Sequence, residues 1–128
     1  MHGELRILRC EECHDTFDMM EEEHLTADYI ACQSCHSQRL RPHIVWFHEM
    51  PLQMSEIYTA VEECDVFITI GTSGHVYPAA GLIDVAKQVG AHCIGINLEP
   101  PMNYEQHDEF HQGKAGELLP DLVEQIVS

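Results

Sequence analysis

From Leu40 onward, short apolar runs rich in β-branched residues alternate with stretches in which apolar positions recur every three or four residues. Ile44 to Phe47, Val66 to Ile70 and Cys93 to Asn97 read as strands, because continuous apolar runs of this length suit strands covered on both faces. Met54, Ile57, Tyr58 and Val61 recur at helical spacing. A second helix is expected from Pro78 to Val89, with proline at an early helical position and Gly90 as its C-terminal stop. The polar stretch from Glu99 to Gln112 reads as a connection, and Leu118, Leu122, Val123 and Ile126 predict a final helix opening near Pro120. Strands alternating with helices imply a parallel sheet with right-handed crossovers, covered on both faces. The expected fold class is therefore α/β, a partial Rossmann-like parallel sheet of about three strands with flanking helices, where a doubly wound fold normally has about six. The first strand of such a fold, with its glycine-rich phosphate turn, is not found in this sequence, so the chain is expected to be the C-terminal part of a larger fold.

Before Leu40 neither periodicity holds, and cysteine spacing takes over. Cys10 and Cys13 form one C-x-x-C pair, Cys32 and Cys35 a second, with 18 residues between Cys13 and Cys32. Two thiolates from each of two tight turns complete a tetrahedron, so the spacing points to a zinc ribbon holding one ion. Four thiolates leave no open position for water, which makes the zinc structural rather than catalytic. Two alternatives are weighed against this: a redox role for the two pairs, which needs a thiol with lowered pKa, and replacement of one cysteine ligand by His14, His24 or His36. Cys64 and Cys93 sit at the edges of apolar runs and are expected to pack as small hydrophobes. The expected organisation is a four-cysteine zinc-ribbon module over residues 10–39, with residues 1–9 and 40–128 forming the C-terminal part of the Rossmann-like domain.

Composition narrows the partners. Hydrophobic residues are 45% and charged residues 22% of 128, a globular balance, but six basic against 22 acidic residues give a net charge of −16. Such a surface repels phosphate backbones and anionic lipid, so neither nucleic acid nor membrane is an expected partner, and a lysine-rich protein is favoured. The acidic cluster Glu21 to Glu23 suits a solvated face. No apolar run is long enough to span a bilayer and no signal-peptide pattern is seen, so a cytoplasmic location is expected.

Val66 to Ile70 runs directly into Gly71, Thr72, Ser73 and Gly74 ahead of a helix. Glycine lets backbone amides approach a ligand, and hydroxyls at the carboxyl end of a parallel strand meet a nucleotide near the next helix. Asn97 and Glu99, ending the third strand, place an amide and a carboxylate where ribose hydroxyls are often bound. His92, His107 and His111 are expected at the surface.

Several motifs in one order then resemble the sirtuins, the NAD-dependent protein deacylases, and are most similar to the bacterial class III type. They are His2-Gly3, the two C-x-x-C pairs, Leu40 to Phe47, Gly71 to Ala80, Ile96 to Pro100 and Gly113 to Ala115. The resemblance implies an enzyme that moves an acyl group from lysine to ADP-ribose with release of nicotinamide, using NAD beside structural zinc. It implies His2 as the catalytic base, Gly71, Thr72, Ser73, Asn97, Glu99 and Ala115 as NAD contacts, and Val45, Phe47, Glu49 and Val76 as contacts to an acyl-lysine peptide lying as an added strand. The chain departs from the family pattern in two ways. His48 stands where a glycine is usual, and the Gly-Ala-Gly phosphate loop, the Thr-Gln-Asn-x-Asp segment and the tyrosine and arginine that meet acidic acyl groups are not in the sequence. A separate chain supplying the N-terminal half is therefore one expected partner, and a non-catalytic zinc-stapled interaction module, or a remnant, is the alternative.

Overall fold

The computed structural model describes residues 1–19 and 30–128; the Glu21 to Glu23 cluster and His24 lie outside the described residues. The chain divides into two units, Met1–Gln53 and Met54–Ser128.

In the first unit, β1 (Gly3–Cys10), β2 (Thr16–Asp18) and β3 (Leu40–Ile44) form an antiparallel sheet in the order β2-β1-β3. Side chains alternate between faces along a strand, and toward the end of β1 only Leu8 and Cys10 turn fully inward. The other buried residues among those described in the unit are Cys32, Arg41 and Pro51, an inventory too small to fold on apolar burial alone. The third strand differs from the expectation of a strand over Ile44 to Phe47 in a parallel sheet. It starts and ends earlier, and it pairs antiparallel to β1, with Leu40 opposite Cys10 and Ile44 opposite Gly3. Pro42 fits because β3 is an edge strand, where a missing N–H costs little. The chain leaves the strand at Val45 because Trp46 to Glu49 closes a turn, with the Glu49 N–H donating to the Trp46 carbonyl at 3.1 Å.

The second unit carries the parallel sheet. Strands β4 (Val66–Ile70), β5 (His92–Asn97) and β6 (Glu109–Gln112) lie in the order β4-β5-β6. Helix α1 (Met54–Glu62) and helix α2 (Leu82–Gln88) bury Val61, Leu82, Ile83 and Ala86 with Cys93. Ile94 and Ile96, on the opposite face of β5, pack with Leu122 and Leu118 of helix α3 (Ala115–Val127). Both faces of the sheet are thus covered, as parallel strands require. Cys93 is fully buried and Cys64 packs against the same cluster, so both behave as core residues.

Three local expectations are corrected. Strand β6 falls inside the polar stretch read as a connection; it is an edge strand, so only Phe110 needs to be apolar, and that ring meets Tyr104 edge-on at 5.0 Å. The Pro78 to Val89 helix begins instead as a 3-10 turn over Ala79–Gly81 and becomes α-helical at Leu82. The last helix opens at Ala115, not near Pro120, which sits inside it. Proline there forfeits the bond to the Gly116 carbonyl and crowds that oxygen, while the N–H groups of Glu117 and Leu118 both donate to Lys114. No helix of the described residues is long and apolar enough to cross a membrane.

Candidate functional site

The metal centre is built from two near-identical turns. In the first, the Cys10 N–H donates to Asp15 at 2.9 Å and the His14 N–H to Cys10 at 3.1 Å; in the second, Cys32 donates to Ser37 and His36 to Cys32, both at 2.9 Å. His14 and His36 close the turns in left-handed conformation, with φ of 63° and 60°. They are turn residues, and the ligand group is Cys10, Cys13, Cys32 and Cys35, whose sulfurs all lie within 4.8 Å of one another. Sulfur contacts run between the turns, Cys10 to Cys35 at 3.6 Å and Cys13 to Cys32 at 3.5 Å. A tetrahedral ion with zinc–sulfur bonds of about 2.3 Å would set sulfurs about 3.8 Å apart, so the cluster fits one structural zinc ion rather than two independent redox pairs.

Electrostatics agree with the geometry. The Cys13 backbone N–H leads a set of hydrogen bonds that pulls the Cys10 thiol down to about 6. At Cys13 the backbone N–H of Asp15 acts in the same sense, but desolvation and the neighbouring sulfurs overcome it and push the thiol up to about 12. Four sulfurs this close ionise together only around a cation. Arg39 stands beside them, 2.7 Å from Glu12 and 3.6 Å from Glu11.

The second site lies at the carboxyl ends of β4 and β5. Gly71, Thr72, Ser73, Asn97, Leu98 and Glu99, with Pro100 to Met102, line an open cleft of about 450 Å³. Gly71 turns the chain with φ of +62°, and its missing side chain leaves open space over its backbone. Asn97 ties the two strand ends together: its Nδ2 donates to the Thr72 carbonyl at 2.6 Å and its Oδ1 accepts from the Leu98 N–H at 2.9 Å. The Thr72 hydroxyl oxygen accepts from the Gly74 N–H at 3.2 Å, and the Ser73 carbonyl accepts from Met102 at 3.0 Å. Glu99 is exposed, with no ion pair among the described residues. Ala115 opens α3 and lines a separate apolar recess with Gly116 and Leu119.

Two residues before the Gly71 turn, β4 meets a histidine expected at the surface. His107 is half-buried, with Nδ1 3.1 Å from the Tyr104 carbonyl and Nε2 2.7 Å from the Thr69 hydroxyl. A carbonyl only accepts, so Nδ1 donates to Tyr104, and Nε2 shares a hydrogen bond with the Thr69 hydroxyl. Nothing in the local sequence marks this pairing, which spans 38 positions.

In the first unit, exposed His2 is joined to the turn after β3 by its carbonyl, which accepts from the Val45 N–H at 2.9 Å. Phe47 is exposed at the tip of that turn, and His48 has φ of +72°, a left-handed conformation in which glycine would be less strained. Glu49 binds Arg41 through both carboxylate oxygens, at 2.5 and 2.9 Å, and accepts from the Trp46 N–H at 2.9 Å. Arg41 foremost, then the Trp46 N–H, holds the Glu49 carboxyl at about 2, below its ordinary 4.5. A depressed carboxylate stabilises the fold above its unfolded pKa, and that contribution disappears as pH falls through the folded value. The stability difference between the native chain and Glu49→Gln is accordingly expected to be at its full value well above pH 4.5 and to shrink as pH falls below 4.5 toward about 2, as read by denaturant titration of Trp46 emission at each pH where the zinc content holds. Val76, the remaining residue of the expected peptide set, is exposed in the second unit.

Four cysteines gathered to fit one zinc ion in the first unit, and a glycine-ended parallel sheet with a cleft at its strand ends in the second, define an α/β protein with a cysteine-rich module. Comparison with known proteins narrows the class. The Sir2 family model matches residues 1–78, and the chain belongs to the Sir2 family. An NAD-dependent protein deacylase of Pasteurella multocida (strain Pm70) is 48% identical over 128 residues, which span 99% of this chain and 53% of that protein. A Sir2 homologue solved as its NAD complex matches with a TM-score of 0.83 at 37% identity, covering 98% of this chain and 49% of its own. Sir2Af2 bound to a myristoylated histone peptide matches with a TM-score of 0.75 at 37% identity, covering 98% and 55%. The chain thus spans about half the length of the curated relatives it matches.

Proposed function

We propose that this chain is the C-terminal part of an NAD-dependent protein lysine deacylase and contributes its zinc module, its general base and the adenosine side of its nucleotide site. The observation that carries this reading is the meeting of Gly71, Thr72, Ser73, Asn97 and Glu99 around one cleft at the carboxyl ends of two parallel strands. NAD supplies the ribose carbon from which nicotinamide leaves and the ADP-ribose that carries the acyl group away. Gly71, Thr72 and Ser73 hold the nucleotide with backbone and hydroxyl groups, Asn97 keeps that turn in place, Glu99 accepts from ribose hydroxyls, and Ala115 contacts adenine. His2 withdraws a proton from a ribose hydroxyl, a task suited to imidazole because its ordinary titration range spans working pH. Val45, Phe47, Glu49 and Val76 flank an acyl-lysine peptide bound as an added strand. In this reading residues 10–39 are the zinc module, and residues 1–9 with 40–128 are the C-terminal part of the NAD-binding domain. A reducing cytoplasm suits it, since all six thiols are free for metal or packing.

The rest of the nucleotide site would come from a preceding segment or a separate chain. The free edge of β4 supports this, because among the described residues β4 pairs only with β5 and its five residues carry no charge to discourage pairing. The half-length match equally favours a second reading, a non-catalytic zinc-stapled module. Calorimetric titration of NAD into the zinc-loaded chain separates the two. Weak binding is expected for the native chain, and Glu99→Ala, which removes an exposed carboxylate, should weaken it by about tenfold, the worth of one charge-assisted hydrogen bond. No heat with NAD would leave the non-catalytic module standing.

A further inference from the structure

Arg41 is the only charged side chain buried among the described residues, at 8% exposure, and its partners all belong to β3 and the turn that follows. Nη1 and Nη2 grip both oxygens of Glu49, Nη2 also donates to the Ile44 carbonyl at 3.0 Å, and the guanidinium carbon stands 3.7 Å from the centroid of the Trp46 ring. Glu49 binds the Trp46 N–H with its side chain and the Trp46 carbonyl with its own N–H. The turn is clasped at both ends, and Phe47 is left at its tip, 90% exposed. The main-chain N–H groups of Phe47 and His48 have no partner among the described residues. Free main-chain donors on a fixed, exposed turn are open to hydrogen bonds with a bound peptide.

The ion pair is poorly explained by stability alone. Burying a guanidinium carries a large desolvation cost that apolar residues would avoid, and Arg41 leaves its Nε without a partner. What the arrangement secures is geometry: a planar fork and a stacked ring permit one orientation of Glu49 and Trp46. We propose that Arg41 is a positioning residue for substrate, acting through Glu49 and Trp46 to hold the Val45–His48 backbone in the one conformation that receives an acyl-lysine peptide. This rests on the deacylase reading and changes it in one respect: Glu49, with both oxygens committed, serves the peptide through the turn rather than by touching it.

Trp46 is the single tryptophan of the chain, so its emission reports the clasp directly. The experiment compares the zinc-loaded chain with Arg41→Lys, which keeps the charge but loses fork and stacking, and with Glu49→Gln. Both variants are expected to retain the native zinc content and NAD affinity while the anisotropy of Trp46 emission falls. Their affinity for a labelled acetyl-lysine peptide, read against the unacetylated peptide, should drop by about tenfold. Variants that loosen Trp46 yet bind the peptide as the native chain does would overturn the proposal, as would a loss of affinity that appears only together with loss of zinc. If the native chain, with Trp46 held, binds no acetyl-lysine peptide, this assignment is overturned, while the deacylase reading is judged separately by NAD binding and by turnover of the reconstituted protein.

Discussion

Serine in place of Cys32 is expected to unfold the Met1–Gln53 unit and to release its metal, while the Met54–Ser128 unit keeps its structure. The reason lies in how little else holds the first unit. Its buried residues, among those described, are Leu8, Cys10, Cys32, Arg41 and Pro51, and two of these five are members of the four-sulfur group. Its three strands contribute eight, three and five residues, with β2 at one edge and β3 at the other. Metal binding to such a module is folding free energy, on the order of 10 kcal/mol for a structural zinc at neutral pH, which exceeds the stability the rest of the unit can supply. A chelator should have the same effect as the substitution. Unit two has its own clusters, with Ile83, Ala86, Cys93, Ile94 and Ile96 almost fully buried, and needs no metal. The readouts are zinc content, the emission of Trp46 in the first unit, and hydrogen-exchange protection of the Ile94 and Ile96 amides in the second. Native zinc content and unchanged Trp46 emission in Cys32→Ser would show that the four sulfurs do not share an ion.

The elements readable from sequence were those whose signal is local. Val66 to Ile70 and Cys93 to Asn97 sit next to each other in the sheet, with β5 covered on both faces, and continuous apolar runs follow from that position. The metal centre was readable because a knuckle encodes its ligand pair within four residues. Elements whose residues are chosen by distant partners were not. Strand β1 shows inward alternation only over its last residues, and its pairing with β3 joins Cys10 to Leu40 and Gly3 to Ile44, far apart along the chain. Strand β6, a polar edge, carries almost no apolar pattern of its own. The same holds at the sites. Gly71 and Glu99 follow from strand ends, whereas the pairing of Thr69 with His107, and that of Arg41 with Glu49, depends on turns that sequence does not specify. His48 shows the converse case, a residue whose departure from the family glycine was visible at once and whose physical consequence, a left-handed backbone, needed the structure.

Turnover is expected to be negligible for this chain alone and to appear when a polypeptide supplying the N-terminal half of the family fold is added. The free side of β4 sets this outcome. Among the described residues its Val66–Ile70 backbone pairs on one side only, and the cleft at its end is open, lined by residues that reach the adenosine side of a dinucleotide in the proposed reading. Half a site can hold part of NAD but cannot fix the nicotinamide ribose against the substrate, and most of the advantage of orientation is lost when one reacting group is unconstrained. A partner that continues the sheet past β4 would close the site and cover that edge. Nicotinamide release from NAD with an acyl-lysine peptide, assayed for each component and for the mixture, measures the effect. In the reconstituted protein, His2→Ala should lower the rate by about 100-fold or more, the usual contribution of a positioned general base, with little change in NAD affinity. His2 is exposed and its hydrogen bond to Val45 is made by backbone, so the substitution removes the imidazole without disturbing the turn. Rapid turnover by the isolated chain would refute the half-site argument, and a reconstituted His2→Ala protein of native activity would remove His2 from the mechanism while leaving the fold assignment intact.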